Sequence, residues 1–150
     1  MCAAALRTYH IYISHGWKYT DDYYRMINYL EKLSEVEPNF GYDIHSEPES
    51  EKGKKNRYTD ELMSEIQSQI RDSECILILS DMYKDFHYWL DYAMDLAKDW
   101  HIPIIGIRTW GDEETPNQIE VRADEMVEWH DKSILTAIRN QCRMEEEAER

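Results

Sequence analysis

Cys75-Ile-Leu-Ile-Leu79 is an unbroken apolar run, rich in β-branched residues and with no polar residue at any alternate position. A strand with one wet face alternates, so this run reads as a strand covered on both faces, as in the middle of a parallel sheet. Ile102-Pro-Ile-Ile-Gly-Ile107 has the same character, with Pro103 near its start, where a missing N–H is tolerated. Between the two, Trp89, Ala93, Leu96 and Ala97 fall on one face of a helix around Tyr88 to Trp100. Upstream, Leu62, Ile66 and Ile70 mark a helix from about Thr59 to Asp72. Tyr9, Ile11 and Ile13 alternate with His10 and Tyr12 in a first strand. Tyr23, Ile27, Leu30 and Leu33 then make Asp21 to Ser34 an amphipathic helix, broken by Pro38-Asn-Phe-Gly41. Tyr42 to His45 is a short second strand, and Glu125 to Val127 a weaker last one. A final helix runs from Asp131, with Ile134, Leu135 and Ile138 inward. Strands alternating with helices predict right-handed crossovers and a parallel sheet. The expected fold is α/β: a flavodoxin-like three-layer sandwich on a parallel five-stranded sheet.

A chain of 150 residues suits one domain, with a core over about residues 9–140 and an acidic tail over 144–150. The net charge of −14 argues against a nucleic-acid partner and gives no reason to expect attraction to an anionic membrane. No apolar run approaches the roughly 20 residues that span a bilayer. Met1 to Leu6 is apolar but too short for a signal peptide and has no basic stretch before it. Cys2, Cys75 and Cys142 are odd in number and far apart, and Cys75 reads as a small buried residue. A cytoplasmic protein is expected.

The segment that carries chemistry is Tyr12-Ile-Ser-His-Gly-Trp-Lys-Tyr19, a strand end passing through a polar loop towards a helix. Thr20 offers an N-cap hydroxyl, and Asp21 and Asp22 suit the positive first turn. Ligands of open α/β sheets sit at the carboxyl ends of strands, which puts Ser14, His15, Gly16 and Trp17 at the place for a ligand. The loop lacks the glycine spacing of a dinucleotide fingerprint or a P-loop. It also lacks the carboxylates of a response-regulator receiver after the first strand, and the third strand ends in Ser80 with Asp81 one step beyond. His15, His45 and His87 are expected near one rim, lining a polar pocket or facing solvent rather than holding a metal. Lys52, Lys54, Lys55 and Arg57 form the only dense positive patch, with Arg57 the best placed to meet a phosphate. Tyr83 and Trp89 would ordinarily be packing aromatics, and on pattern alone Ala93 is a small core residue.

Taken together, these pieces resemble a known family. The chain is similar to TIR-like proteins, among them the TIR subunits of the bacterial Thoeris antiphage system. The matching pieces are Tyr12-Ile-Ser-His-Gly-Trp-Lys-Tyr19 with Asp22-Tyr23, Pro38-Asn-Phe40, Ser46-Glu-Pro48 and Leu79-Ser-Asp-Met-Tyr83. Trp89, Pro103-Ile-Ile-Gly-Ile-Arg-Thr-Trp-Gly111 and Trp129-His-Asp-Lys-Ser-Ile134 continue them in order. The resemblance implies a TIR-like fold. It also implies cleavage of NAD+ at the nicotinamide–ribose bond in active members, often yielding an ADP-ribose-derived signal that reaches a downstream effector.

The family typically places its catalytic glutamate four residues after the tryptophan, and here that position is Ala93. Asp91 and Asp95 do not replace it, because two residues along a helix turn a side chain by about 200°. The alanine therefore suggests an inactivated or ligand-trapping form. NAD+ is the expected substrate, with no separate cofactor and no metal. Ser14, His15 and Ser80 are expected at its ribose or phosphates, with Gly16, His45, Ser46 and Arg57 around them. Trp17, Tyr83 and Trp89 offer aromatic faces to a flat base. Whether water, a base nitrogen or a second molecule takes the ribosyl group is open, as is self-association. The alternative is a catalytically silent TIR-like module that binds a protein or a nucleotide.

Overall fold

The apolar runs and the alternating stretch become five strands. In the computed structural model, which describes residues 7–15, 21–47, 60–108, 115–130 and 132–148, β1 is Thr8–Ile13, β2 Gly41–His45, β3 Cys75–Leu79, β4 Ile104–Arg108 and β5 Glu125–Glu128. They form one sheet in the order β2-β1-β3-β4-β5, with every neighbouring pair parallel. This is the α/β flavodoxin-like arrangement that the alternation of elements predicts. β3 is buried along its whole length, as its unbroken apolar run requires, and Cys75 is buried with it. In β4, Gly106 stands opposite Met126, and a Cβ there would lie 2.3 Å from the Met126 sulfur. The glycine is what lets the Met126 side chain lie across the strand.

The helices are α1 (Asp21–Val36), α2 (Asp60–Arg71), α3 (Tyr83–Asp99), the short α4 (Asn117–Glu120) and α5 (Ser133–Ala148). Right-handed crossovers put α1 on one face of the sheet and α2 and α3 on the other, and α5, which follows the last strand, lies on the α1 side. Contacts agree with this. Arg139 of α5 donates to the Pro38 carbonyl just past α1 at 2.8 Å, and Gln67 of α2 donates to the Tyr92 hydroxyl of α3 at 2.9 Å. Tyr23, Met26, Leu30 and Leu33 from α1, and Leu62, Ile66 and Ile70 from α2, enter the core. Among the described residues, no helix is long and apolar enough to cross a membrane.

Most boundaries fall within two residues of the sequence expectation, and three places are instructive. β4 begins at Ile104 rather than Ile102, although the Pro103 carbonyl already accepts from Ile76 N–H at 2.9 Å. Turn-rich residues hid α4 in the connection to β5. The largest difference is at α3, expected from Tyr88 but beginning at Tyr83 out of a 3-10 turn over Ser80–Met82. No Gly or Pro interrupts this stretch, so the chain coils as soon as β3 ends. Phe86 leaves helical geometry, with φ −128° and ψ 26°, which is why the apolar period becomes regular only from Trp89. At its other end α3 closes through His101, held at φ 58°, with Ile102 N–H bonded back to the Ala97 carbonyl at 2.8 Å. That is the Schellman geometry, usually served by glycine.

β1 is also clipped to the entry of β3. The Glu74 carboxylate receives both guanidinium nitrogens of Arg7, at 3.0 and 2.7 Å, and the His10 main-chain N–H at 3.0 Å. The Glu74 N–H returns a bond to the His10 carbonyl at 2.7 Å. Burial pushes the Glu74 carboxyl up, but the Arg7 fork and the His10 N–H outweigh it and hold the group below its ordinary value.

Candidate functional site

All five strands point the same way, so their carboxyl ends share one edge of the sheet. Ser14 and His15 follow β1, Ser46 and Glu47 follow β2, and Ser80 follows β3. β1 and β2 are neighbours in register, with Tyr12 opposite His45, which brings their exits side by side.

Glu47 organises that corner. Its carboxylate accepts the Ser14 hydroxyl on one oxygen and the His15 main-chain N–H, at 2.9 Å, on the other. Its own main-chain carbonyl faces His15 Nε2 at 3.0 Å; a carbonyl can only accept, so Nε2 carries the proton. The residue is 2% exposed, and Ser14 and His15 are equally enclosed. A buried carboxylate is costly unless donors surround it, and here hydroxyl and peptide donors do. The His15 ring stands edge-on to Tyr23, with centroids 5.6 Å apart, and the Ser46 hydroxyl donates to the Ile13 carbonyl at 2.9 Å. The Tyr12 hydroxyl is buried with no hydrogen-bond partner among the described residues. Burial first, and then the Glu47 charge, hold its phenol well above the ordinary value.

An acidic pair, Asp22 and Asp81, marks the same edge. Burial and the neighbouring Asp81 push the Asp22 carboxyl up, and Arg25, 3.2 Å away, opposes them. Asp22 opens α1 and Asp81 lies in the turn after β3, so the pair brings those two exits together.

The expected site residues separate into three groups. Ser14, His15 and Ser46 do meet, but as a buried floor rather than an open rim, because Glu47 draws the first two inward. Gly16, Trp17 and Arg57 lie outside the described residues, as do Lys52, Lys54 and Lys55. The rest make contacts of their own. The Tyr83 hydroxyl donates to Asp91, at 2.9 and 3.0 Å to its two oxygens, which ties the ring to α3. Trp89 is buried in the core against Tyr88, with centroids 5.2 Å apart, and shows no open face to a base. Ser80 begins the 3-10 turn, where its carbonyl accepts the Tyr83 N–H. His15, His45 and His87 do not converge either. His15 belongs to Glu47, His45 to His10 and Gln69, and the exposed His87 stands beside Tyr83.

Ala93 is 1% exposed in the core-facing side of α3. Because the helix starts at Tyr83, this position lies past its middle rather than early in it. Asp91 and Asp95 turn away as the helical period requires, and Arg122 binds them both at 2.9 Å. Glu47 was the residue that sequence reasoning passed over. It stood inside the quoted Ser46-Glu-Pro48, and an acid placed directly after a strand was the available signal.

The family model described as Thoeris protein ThsB, TIR-like domain, matches residues 12–114. No curated protein matches the chain in sequence. Among solved structures, a conserved protein from Enterococcus faecalis V583 is similar over 89% of this chain and 99% of its own, at 13% identity and a TM-score of 0.56. At that identity the likeness speaks for the fold. A 3-dehydroquinate dehydratase-like protein from Bifidobacterium longum covers 92% of this chain and 97% of its own, at 8% identity and a TM-score of 0.46.

Proposed function

The chain belongs to the TIR-like domain family of the Thoeris protein ThsB, and on that premise we propose that it binds NAD+ at the carboxyl ends of β1, β2 and β3 but cleaves it little. It is an inactivated or ligand-trapping form of a cytoplasmic antiviral-defence enzyme whose active members pass an ADP-ribose-derived nucleotide to a downstream effector. The observation that supports this reading is the Glu47 cluster. A carboxylate enclosed by Ser14 and the His15 N–H fixes the two strand exits where open α/β sheets take their ligands. Such a floor is preorganised, and ordering it costs nothing at the moment of binding.

Cleaving the nicotinamide–ribose bond builds positive charge on the ribose, and a fixed carboxylate beside the sugar lowers that barrier. The inward face of α3 carries Ala93 at the family's position for this group, and the flanking Asp91 and Asp95 are held by Arg122 on the other side. Ligand binding without turnover follows.

The second reading is a silent TIR-like module, favoured by the packing of Ala93 and Trp89 into the core. Calorimetry with NAD+ and chromatographic detection of nicotinamide separate the two. Binding with little nicotinamide release from the chain as it stands, and a rise in release for Ala93→Glu over Ala93→Gln, is the expected result. Phage-infected cell extract is added in a parallel assay to supply any trigger. No NAD+ binding, or a folded Ala93→Glu protein that binds NAD+ and stays inactive in both assays, decides for the silent module. Rapid release by the unaltered chain overturns the role given to position 93.

A further inference from the structure

On the same strand pair, His10, Asp43 and His45 turn three metal-binding atoms towards one another. His10 and Asp43 are register partners across β1 and β2, and His45 is two residues beyond Asp43, so the pleat sends all three to one face. His10 Nδ1 and His45 Nε2 are 3.0 Å apart, and Asp43 Oδ2 is 3.6 Å from the first and 3.9 Å from the second. A triangle with those sides has a point about 2.1 Å from all three corners, the bond length of a divalent zinc ion to imidazole nitrogen and carboxylate oxygen. We propose that His10, Asp43 and His45 form a binding site for a first-row divalent cation, Zn2+ by ligand type and spacing, that ties edge strand β2 to β1.

Proton placement supports the proposal independently of the spacing. His45 Nδ1 lies 3.0 Å from the side-chain oxygen of Gln69 in α2, and that oxygen can only accept. The Nδ1 proton is therefore committed to Gln69, and His45 Nε2 is left with its lone pair facing His10. A metal-ligating histidine is oriented in this way, its second nitrogen donating to a fixed acceptor. Without a cation, His10 must donate its Nδ1 proton across the 3.0 Å gap to His45. Binding therefore shifts the His10 proton from Nδ1 to Nε2, with no net loss from the neutral ring, and needs no rearrangement of the strands. Access is also built in. The side chains of His10 and Asp43 are 41% and 60% exposed while His45 is 14% exposed, so two ligands meet solvent around one anchored imidazole. Water can fill the remaining coordination positions, and the net charge of −14 draws cations to the surface. His45 is the last residue of β2, two positions before Glu47, so the cation would steady the strand exit from which the buried floor is built.

The test uses the untagged full chain, stripped with chelator and titrated with Zn2+ by calorimetry, with Co2+ as a spectroscopic reporter and thermal unfolding in parallel. One Zn2+ per chain at micromolar affinity or tighter is expected, with Tm rising by roughly 5–10 °C at a metal concentration 100 times Kd. His10→Ala and His45→Ala should abolish the one-to-one event, Gln69→Leu should weaken it 10- to 100-fold, and His87→Ala should leave it unchanged. Asp43→Asn alters a well-exposed side chain and reports on the site even if a histidine variant does not fold. Millimolar or absent binding by the folded chain overturns the proposal, and so does tight binding that survives in Asp43→Asn and in whichever histidine variants fold.

Discussion

The β1–β2 exit and the inward face of α3 pack on one sheet and treat carboxylates in opposite ways. At the strand exit, Glu47 is buried and its oxygens are filled by Ser14 and the His15 N–H. Along α3, the enclosed position is an alanine, and the acids on either side, Asp91 and Asp95, face outward to Arg122. A strand end can bury an acid because main-chain N–H groups there are not all used by the sheet. A helix interior offers no such main-chain donors, since its N–H groups are already bonded four residues back, so an acid there depends on side-chain or ligand partners. Removing Glu47 should therefore cost far more than removing the exposed Asp95.

The sharpest way to break that contrast is Glu47→Ala. It leaves the Ser14 hydroxyl and the His15 N–H buried without partners, and a loss of about 2–5 kcal/mol in denaturant unfolding is expected. Asp95→Ala, on the helix surface, should change stability by less than about 1 kcal/mol. Comparable losses from the two would mean that Glu47 is not enclosed as described.

Glu74 sharpens the comparison with a strand-linked acid that keeps its cationic partner. Glu74→Gln weakens the Arg7 fork and the bond from His10, and about 1–3 kcal/mol should be lost at neutral pH. The sign of the pH effect follows from the lowered carboxyl value. The ion contributes fully above its ordinary 4.5, and the contribution fades as pH falls through the lower folded value. The gap between wild type and Glu74→Gln should narrow steadily below pH 4.5, and a gap that widens there contradicts the assignment.

Tyr12→Phe has the smallest expected effect. Among the described residues the hydroxyl is buried with no well-aligned hydrogen-bond partner, and it sits near the Glu47 carboxylate. Deleting it should leave stability unchanged or raise it by up to about 1 kcal/mol, since an unpaired polar group contributes only its desolvation cost. A loss above about 1 kcal/mol, read from the denaturant midpoint at constant m-value, would give the phenol a partner in solution.

Much of this was written in the order of residues. The unbroken apolar run at Cys75–Leu79 could only be a doubly covered strand, and the alternation of strands with helices dictated parallel pairing. The period of α3 likewise sent Asp91 and Asp95 away from the face of Ala93. These are local properties, fixed by the two-residue repeat of strands and the 3.6-residue repeat of helices. Tertiary structure decided the rest. Ser14 and His15 read as an open rim because they follow a strand. Their burial depends on Glu47, more than thirty residues later, reaching across from the neighbouring strand exit. Trp89 and Tyr83 read as faces for a base, but Trp89 is taken into the core and the Tyr83 hydroxyl is held by Asp91. The meeting of His10 with Asp43 and His45 depended on the register of β1 against β2, which no local pattern encodes. Sequence periodicity determines which side of its own element a residue takes. Only the packing of elements determines what it meets there, because those partners are distant in the chain and close only after the sheet has formed.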